Sequence, residues 1–203
     1  MARPQSPDYD KRRDAIVAAA ARLYARHGFN GASVADLAEA CSTSKSLIYH
    51  YFPSKDDILY EVMAAHLDDL VGAADAVMRE GSAEERLGAL THAFMRLYVG
   101  ARDSHKVLLN ELDNLPRGRR AEVVGKQRRI IAAVETLVRG IRPDAAPVAL
   151  PLAMLFFGMI NWTHTWFRPG GAVSPEGLAE MAVALMLKGL EGLPGSRDGD
   201  QAS

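Results

Sequence analysis

Between Ser33 and Phe52 the chain reads SVADLAEACSTSKSLIYHYF, and no other stretch narrows its possible folds so far. Ser33 is a good N-cap with Asp36 three residues on, in the reciprocal position of a capping box. A helix follows, then a tight polar turn of Ser42, Thr43 and Ser44, any of which can cap what comes next. The second helix is short and crowded with Ser, Lys, Tyr and His. It stops near Phe52, because Pro53 disfavours helical geometry in the residue before it. Two short helices joined by so brief a turn form a helix-turn-helix, whose second helix enters the major groove of DNA.

The surrounding sequence is helical in period, and no convincing alternating strand interrupts it. A first helix is expected from about Asp10 to His27, with Ile16, Ala19, Ala20, Leu23 and Tyr24 on one face and Gly28 as its stop. Ser54 restarts the chain as the cap of a long helix from about Lys55 to Arg79, striped by Ile58, Leu59, Val62, Met63, Leu67, Leu70 and Val71. Further helices are expected over about Ala83–Arg102, Ser104–Leu112, Arg117–Ile141, Ala146–Phe167 and Pro175–Gly192. The polar tail from Pro194 to Ser203 reads as disordered. The sum is an all-α chain with a DNA-binding domain over 10–71, its helix-turn-helix at about 33–52. A larger helical domain follows over 72–193, and the tail occupies 194–203.

The 203 residues can bury one substantial core, or a small and a medium one. The formal net charge is −1, so any DNA contact has to come from a local patch and not from a global basic field. In the second short helix, Lys45 and Ser46 are placed to meet bases. Tyr49, Tyr51 and Lys55 are placed to meet phosphates, while Leu47, Ile48 and Phe52 anchor the helix. The plain alternative is that Tyr49, Tyr51 and Phe52 are core aromatics of a bundle. The preceding capped helix, the three-residue turn and the Pro-Ser-Lys restart argue against it. The single cysteine, Cys41, excludes an intramolecular disulfide and sits at a spacing that packs inward.

Three segments then make the resemblance specific: IVAAAARLYARHGF, SVADLA and LIYHYFPSKDDIL. Together they resemble the N-terminal domain of the TetR family of transcriptional regulators over about Lys11 to Val71. The resemblance implies an all-helical dimer with three N-terminal helices on operator DNA. It further implies C-terminal helices that form a ligand pocket and a dimer interface. The family's usual DNA-contacting positions fall on Ser33, Ser44, Lys45, Ser46, Tyr49, His50, Tyr51 and Lys55. Ser46 stands where the family often has another small residue.

The C-terminal half reads as a sensor. In the helix expected over about 146–167, Leu155, Met159, Trp162 and Trp166 form one stripe, with Phe157, Ile160, Asn161 and His164 forming another. The last helix likewise carries Leu178, Met181, Ala182, Leu185 and Gly189 on one face and Val183, Leu187 and Leu190 on a second. A helix apolar on two faces needs two partners, its own core and a second subunit, so a homodimer through the last two helices is expected. Pro147–Phe167 is also long enough to suggest a membrane span, but its Pro151, Asn161, Thr163, His164 and Thr165 favour a buried interface helix.

Candidate effector-binding residues are Met63, Leu67, Phe94, Tyr98, Leu109, Leu112, Phe157, Asn161 and His164, with core packing as the plain alternative for the apolar ones. Arg119 and Arg120 border the apolar stripe of the basic segment 117–129, which suits an amphiphile with an anionic end, such as an acyl-CoA. The segments LNELDNLP and GMINWTHTWFRPGG are similar to C-terminal halves of TetR regulators of fatty-acid, steroid or phenylacetate degradation, which typically release DNA when a CoA thioester binds.

An enzyme is disfavoured. The six histidines are scattered, with no metal-ligand spacing, nucleophile elbow or phosphate loop. No cofactor or metal is expected. The N-terminus lacks the apolar run of a signal peptide, the single cysteine suits a reducing cytosol, and a cytoplasmic protein is expected. A ligand-independent architectural DNA-binder would not need so long a C-terminal half. The expected function is therefore a ligand-responsive DNA-binding regulator, by family default a repressor.

Overall fold

Capping decides where the short helices begin and end. The computed structural model describes residues 7–193, and every regular element within them is helical. The helices are α1 (Pro7–Gly31), α2 (Val34–Ala40), α3 (Lys45–Tyr51), α4 (Lys55–Val77) and α5 (Ala83–Gly100). They continue with α6 (Arg102–Asn110), α7 (Arg117–Ile141), α8 (Ala149–Asn161), α9 (Thr163–Trp166) and α10 (Pro175–Gly192). The residues expected to form a tail, 194–203, lie outside those described.

The described residues cluster into two compact units. One holds the chain up to Asp68 together with Ala101–Gly125; the other holds Asp69–Gly100 and the chain from Lys126 onward. The first unit therefore takes in α6 and the start of α7, which lie well beyond residue 71.

In the first unit α6 packs on α1, and side chains from later in the chain satisfy the carbonyls that a helix end leaves without partners. Lys106 Nζ donates to the Ala25 carbonyl at 2.7 Å, and Lys55 Nζ donates to that of Phe29. Asn30 Nδ2 donates to Asn114 Oδ1 at 3.1 Å. Gly28, expected as the stop of α1, is instead a break within it. Its φ is 73°, a left-handed value that glycine adopts without steric cost. The expected apolar stripe of α4 is buried throughout, from Ile58 to Val71. Two histidines are buried as well, His66 of α4 and His105 of α6, with Nε2 of the first 3.1 Å from Nδ1 of the second.

In the second unit α5 lies along α10, and α8 packs beside α10. Phe94 is fully buried, its ring centroid 6.0 Å from Tyr98 and 6.3 Å from Phe157. Ser174 caps α10 by accepting from the Gly177 N–H at 3.1 Å, with Pro175 at the first helical position. The other end is closed by Arg142, whose guanidinium donates to the carbonyls of Leu190 and Glu191 and pairs with Asp144 at 3.0 Å.

The single helix expected over Ala146–Phe167 is broken twice. A 3-10 turn covers Pro143–Val148, and the chain breaks again at Trp162 between α8 and α9. There the Thr163 hydroxyl donates to the Ile160 carbonyl at 2.6 Å, and His164 Nδ1 lies 2.7 Å from the Asn161 carbonyl. Side chains that bond nearby carbonyls compete with the helical ladder, and this run has three in succession once Thr165 is added. Ala182, expected on one face with Met181 and Leu185, is buried. It faces the protomer's own core with Ala179, Met186 and Leu190, because the helical turn of 100° per residue separates it from Met181 and Leu185. Those two remain outward, as do Leu150, Met154, Leu155, Trp162 and Trp166.

Candidate nucleic-acid interface

Ser33 and Asp36 close a complete capping box at the start of α2. The Asp36 N–H donates to Ser33 Oγ at 3.2 Å, while the Ser33 N–H and hydroxyl both donate to the Asp36 carboxylate at 2.8 Å. Those two hydrogen bonds hold the Asp36 carboxyl below the usual carboxylate range. At the other end of α2 the Ser42 N–H bonds the Glu39 carbonyl and the Thr43 N–H bonds that of Ala38, each at 2.9 Å. This is the paired 5→2 and 6→1 closure of a Schellman motif. Its left-handed position is Ser42, at φ 52°.

Ser44 then caps α3, accepting from the Leu47 N–H at 3.2 Å. α3 is two turns long, so its stability comes from packing and not from its own hydrogen bonds. Ile48 and Phe52 are almost wholly buried, and they turn Lys45, Ser46, Tyr49 and His50 to solvent. Tyr49 is 49% exposed, the only tyrosine among the large exposed side chains of the described residues. One cation, two hydroxyl groups and an imidazole on a free helical face can donate to phosphates and base edges.

Ser33, Ser44, Lys45, Ser46, Tyr49 and His50 are all exposed. Tyr51 is half-buried, with its ring 4.5 Å from that of Tyr9. Lys55 is held inside the domain, over the Phe29 ring at 4.1 Å and on the Phe29 carbonyl. Cys41 is half-buried, not packed inward. It lines a cleft of about 330 Å³ with Arg12, Arg22, Ser42 and Thr43, and partial burial pushes its thiol pKa up.

The candidate effector residues divide between the units. In the first, Met63 and Leu67 are buried, and Leu109 and Leu112 are half-buried. Arg119 pairs with Asp57 at 3.1 Å and lies 4.2 Å over the Tyr60 ring, whose hydroxyl donates to Glu122 at 2.6 Å. Arg120 pairs with Asp113 at 2.7 Å. In the second unit Phe94, Tyr98 and Phe157 meet in the core. There burial pushes the Tyr98 hydroxyl far above its ordinary range. Asn161 and His164 sit together at the end of α8, both half-buried. Among the described residues no group of three or more His, Cys, Asp or Glu side chains could hold a metal ion.

Two features escape a reading of the sequence. The His66–His105 contact joins residues 39 positions apart, and no local pattern announces it. Tyr9 lies before the first helix as its periodicity delimits it, yet it touches both aromatic rings at the end of α3.

Residues 16–62 match the family model described as bacterial regulatory proteins, tetR family. Residues 80–190 match the tetracyclin repressor-like C-terminal domain. The chain is 27% identical over 200 residues to the HTH-type transcriptional repressor KstR2 of Mycolicibacterium smegmatis, covering 92% of this chain and 95% of that one. A TetR-family transcriptional regulator from Bordetella parapertussis 12822 shares the fold with a TM-score of 0.84 and 40% identity, over 91% of this chain and 98% of that one. AibR, solved in complex with isovaleryl coenzyme A and operator DNA, aligns with a TM-score of 0.77 and 26% identity over 86% of this chain and 97% of its own.

Proposed function

The chain belongs to the TetR family of bacterial transcriptional regulators, and we propose that it is a homodimeric repressor released from its operator by an acyl-CoA thioester. The observation that carries the DNA-binding half is the two-sided α3. Ile48 and Phe52 fix its axis while Lys45, Ser46, Tyr49 and His50 stay exposed. In this reading Lys45 and Ser46 meet bases. Tyr49, His50 and Tyr51 meet phosphates with Ser33 and Ser44, and Lys55 supports the domain from within.

A second copy of the chain accounts for the outward apolar stripe. Leu155 is 67% exposed, Trp162 65% and Leu185 65%, and a row of such side chains on α8 and α10 is what a symmetric helical interface covers. Two α3 helices set about one DNA turn apart, roughly 34 Å, then match a palindromic site.

The effector class is supported by AibR, a relative whose structure holds isovaleryl coenzyme A and operator DNA, and by the likeness to KstR2, a ketosteroid transcriptional regulator. Binding of such a thioester is expected to shift α4 and so to spoil that spacing. Such coupling is worth about 1–3 kcal/mol, or about 5- to 150-fold in affinity. A gel-shift titration on DNA enriched by the protein itself tests this. Release by medium-chain or steroid-derived CoA thioesters is expected. Binding indifferent to every thioester would overturn the sensor, and the absence of any sequence preference would overturn the regulator.

A further inference from the structure

The end of the DNA-reading helix is held by a segment that precedes the matched family region. α3 is only seven residues long, and its buried anchors, Ile48 and Phe52, fix its axis but not the rings of His50 and Tyr51. Tyr9, in the first turn of α1, stands against both. Its ring centroid is 4.5 Å from that of Tyr51 at an interplanar angle of 37°, and 6.3 Å from that of His50 at 77°. His50 and Tyr51 meet each other edge-on at 5.4 Å. Each separation lies in the range in which aromatic pairs attract, in offset or edge-to-face geometry.

One turn further along α1, Arg13 fastens the same segment to the helix-turn-helix. Its guanidinium lies 5.1 Å over the ring of Phe52, the C-cap of α3, and pairs with Glu61 of α4 at 2.6 Å. The hydrogen bond to Glu61 raises the Arg13 pKa above its ordinary value, so the cation persists at any working pH. Tyr9 therefore presses on His50 and Tyr51 from a helix turn that is itself tied to the α3 cap and to α4.

We propose that Tyr9 is a positioning residue for DNA recognition: its ring restricts the rotamers of His50 and Tyr51, so both meet the DNA already ordered. The proposal rests on the reading of α3 as the DNA-reading helix. A side chain ordered before binding loses less rotamer entropy on binding, and the gain is largest on the preferred sequence, where base contacts hold the protein in one register and the phosphate contacts of His50 and Tyr51 have a fixed geometry.

The test uses the full-length protein on two duplexes of equal length, one enriched from a random library by the wild type and one of shuffled sequence. Tyr9→Ala is expected to weaken binding to the enriched duplex by about threefold to tenfold, the scale of one aromatic pair. Its affinity for the shuffled duplex should stay within about twofold, because binding there rests on overall electrostatic attraction to the backbone, with no fixed register for ordered side chains to meet. Tyr9→Phe keeps the ring and should match the wild type on both. It should also preserve the ring-current shift of the His50 C–H resonances, which Tyr9→Ala loses. Equal loss on both duplexes would overturn the proposal, and so would a Phe variant as weak as the Ala variant, since the hydroxyl would then be touching DNA. Lys45→Ala on the enriched duplex separates the two readings. If it weakens binding while Tyr9→Ala does not, Tyr9 alone is misassigned. If Lys45→Ala has no effect, the placement of α3 on DNA fails first.

Discussion

His66 carries a pH dependence that can be worked through from its surroundings. Burial pushes its imidazole down to about 4 from an ordinary 6.5, because the charged form loses its hydration in the core. The folded protein therefore holds His66 neutral while the unfolded chain takes up a proton below about pH 6.5. Stability from this group is complete above that pH and is lost as the pH falls toward 4. Each tenfold difference in proton affinity between the two states is worth about 1.4 kcal/mol, so moving from about pH 7.5 to about pH 5.0 costs about 2 kcal/mol.

His66→Gln removes the titration and leaves an amide that can still bond the His105 ring. Urea unfolding followed by far-ultraviolet circular dichroism, at one fixed protomer concentration, isolates the contribution. The variant should lose about 2 kcal/mol less than the wild type over that acid step, with the same m-value. Equal acid sensitivity in the two proteins would refute the reasoning, placing the neutral imidazole's stabilisation elsewhere.

Two further outcomes follow from features of the helices. Leu185→Asp places a charge in the outward stripe of α10 and, because a two-fold interface repeats every change, should raise the dimer dissociation constant by at least about 100-fold; unchanged sedimentation velocity would exclude α10 from the interface. Ser42→Gly relieves a left-handed backbone at φ 52° and should raise the unfolding free energy by about 0.5–1 kcal/mol. A loss of stability in that variant would show that the serine side chain contributes something the backbone geometry does not reveal.

What could be read from the sequence was what local chemistry decides. The Ser33–Asp36 box, the Ser44 cap and the Pro53 stop act within three or four residues, and they placed α2 and α3 correctly. The buried stripe of α4 followed from its 3.6-residue period. The second break near Trp162 did not, because the apolar period runs through it unchanged; only the local bonding of Thr163, His164 and Thr165 ends the helix. The charge and position of Lys55 point to a phosphate contact. Its actual acceptor, the Phe29 carbonyl, lies 26 residues back, a separation no window on the sequence spans. The pairing of α6 with α1, and with it the His66–His105 contact, is of the same kind.

The chain passes through its DNA-binding unit twice, first up to Asp68 and again over Ala101–Gly125. Lys106 and Asn114, which bond to the far end of α1, belong to the second passage. A reading head built this way is not a detachable cassette. A fusion that joins residues 1–72 to a foreign sensor would leave those bonds unmade and the buried face of α1 open to water. Recombination between relatives has to carry the later segment along with the first, so that α1 and the segment Ala101–Gly125 are inherited as one piece.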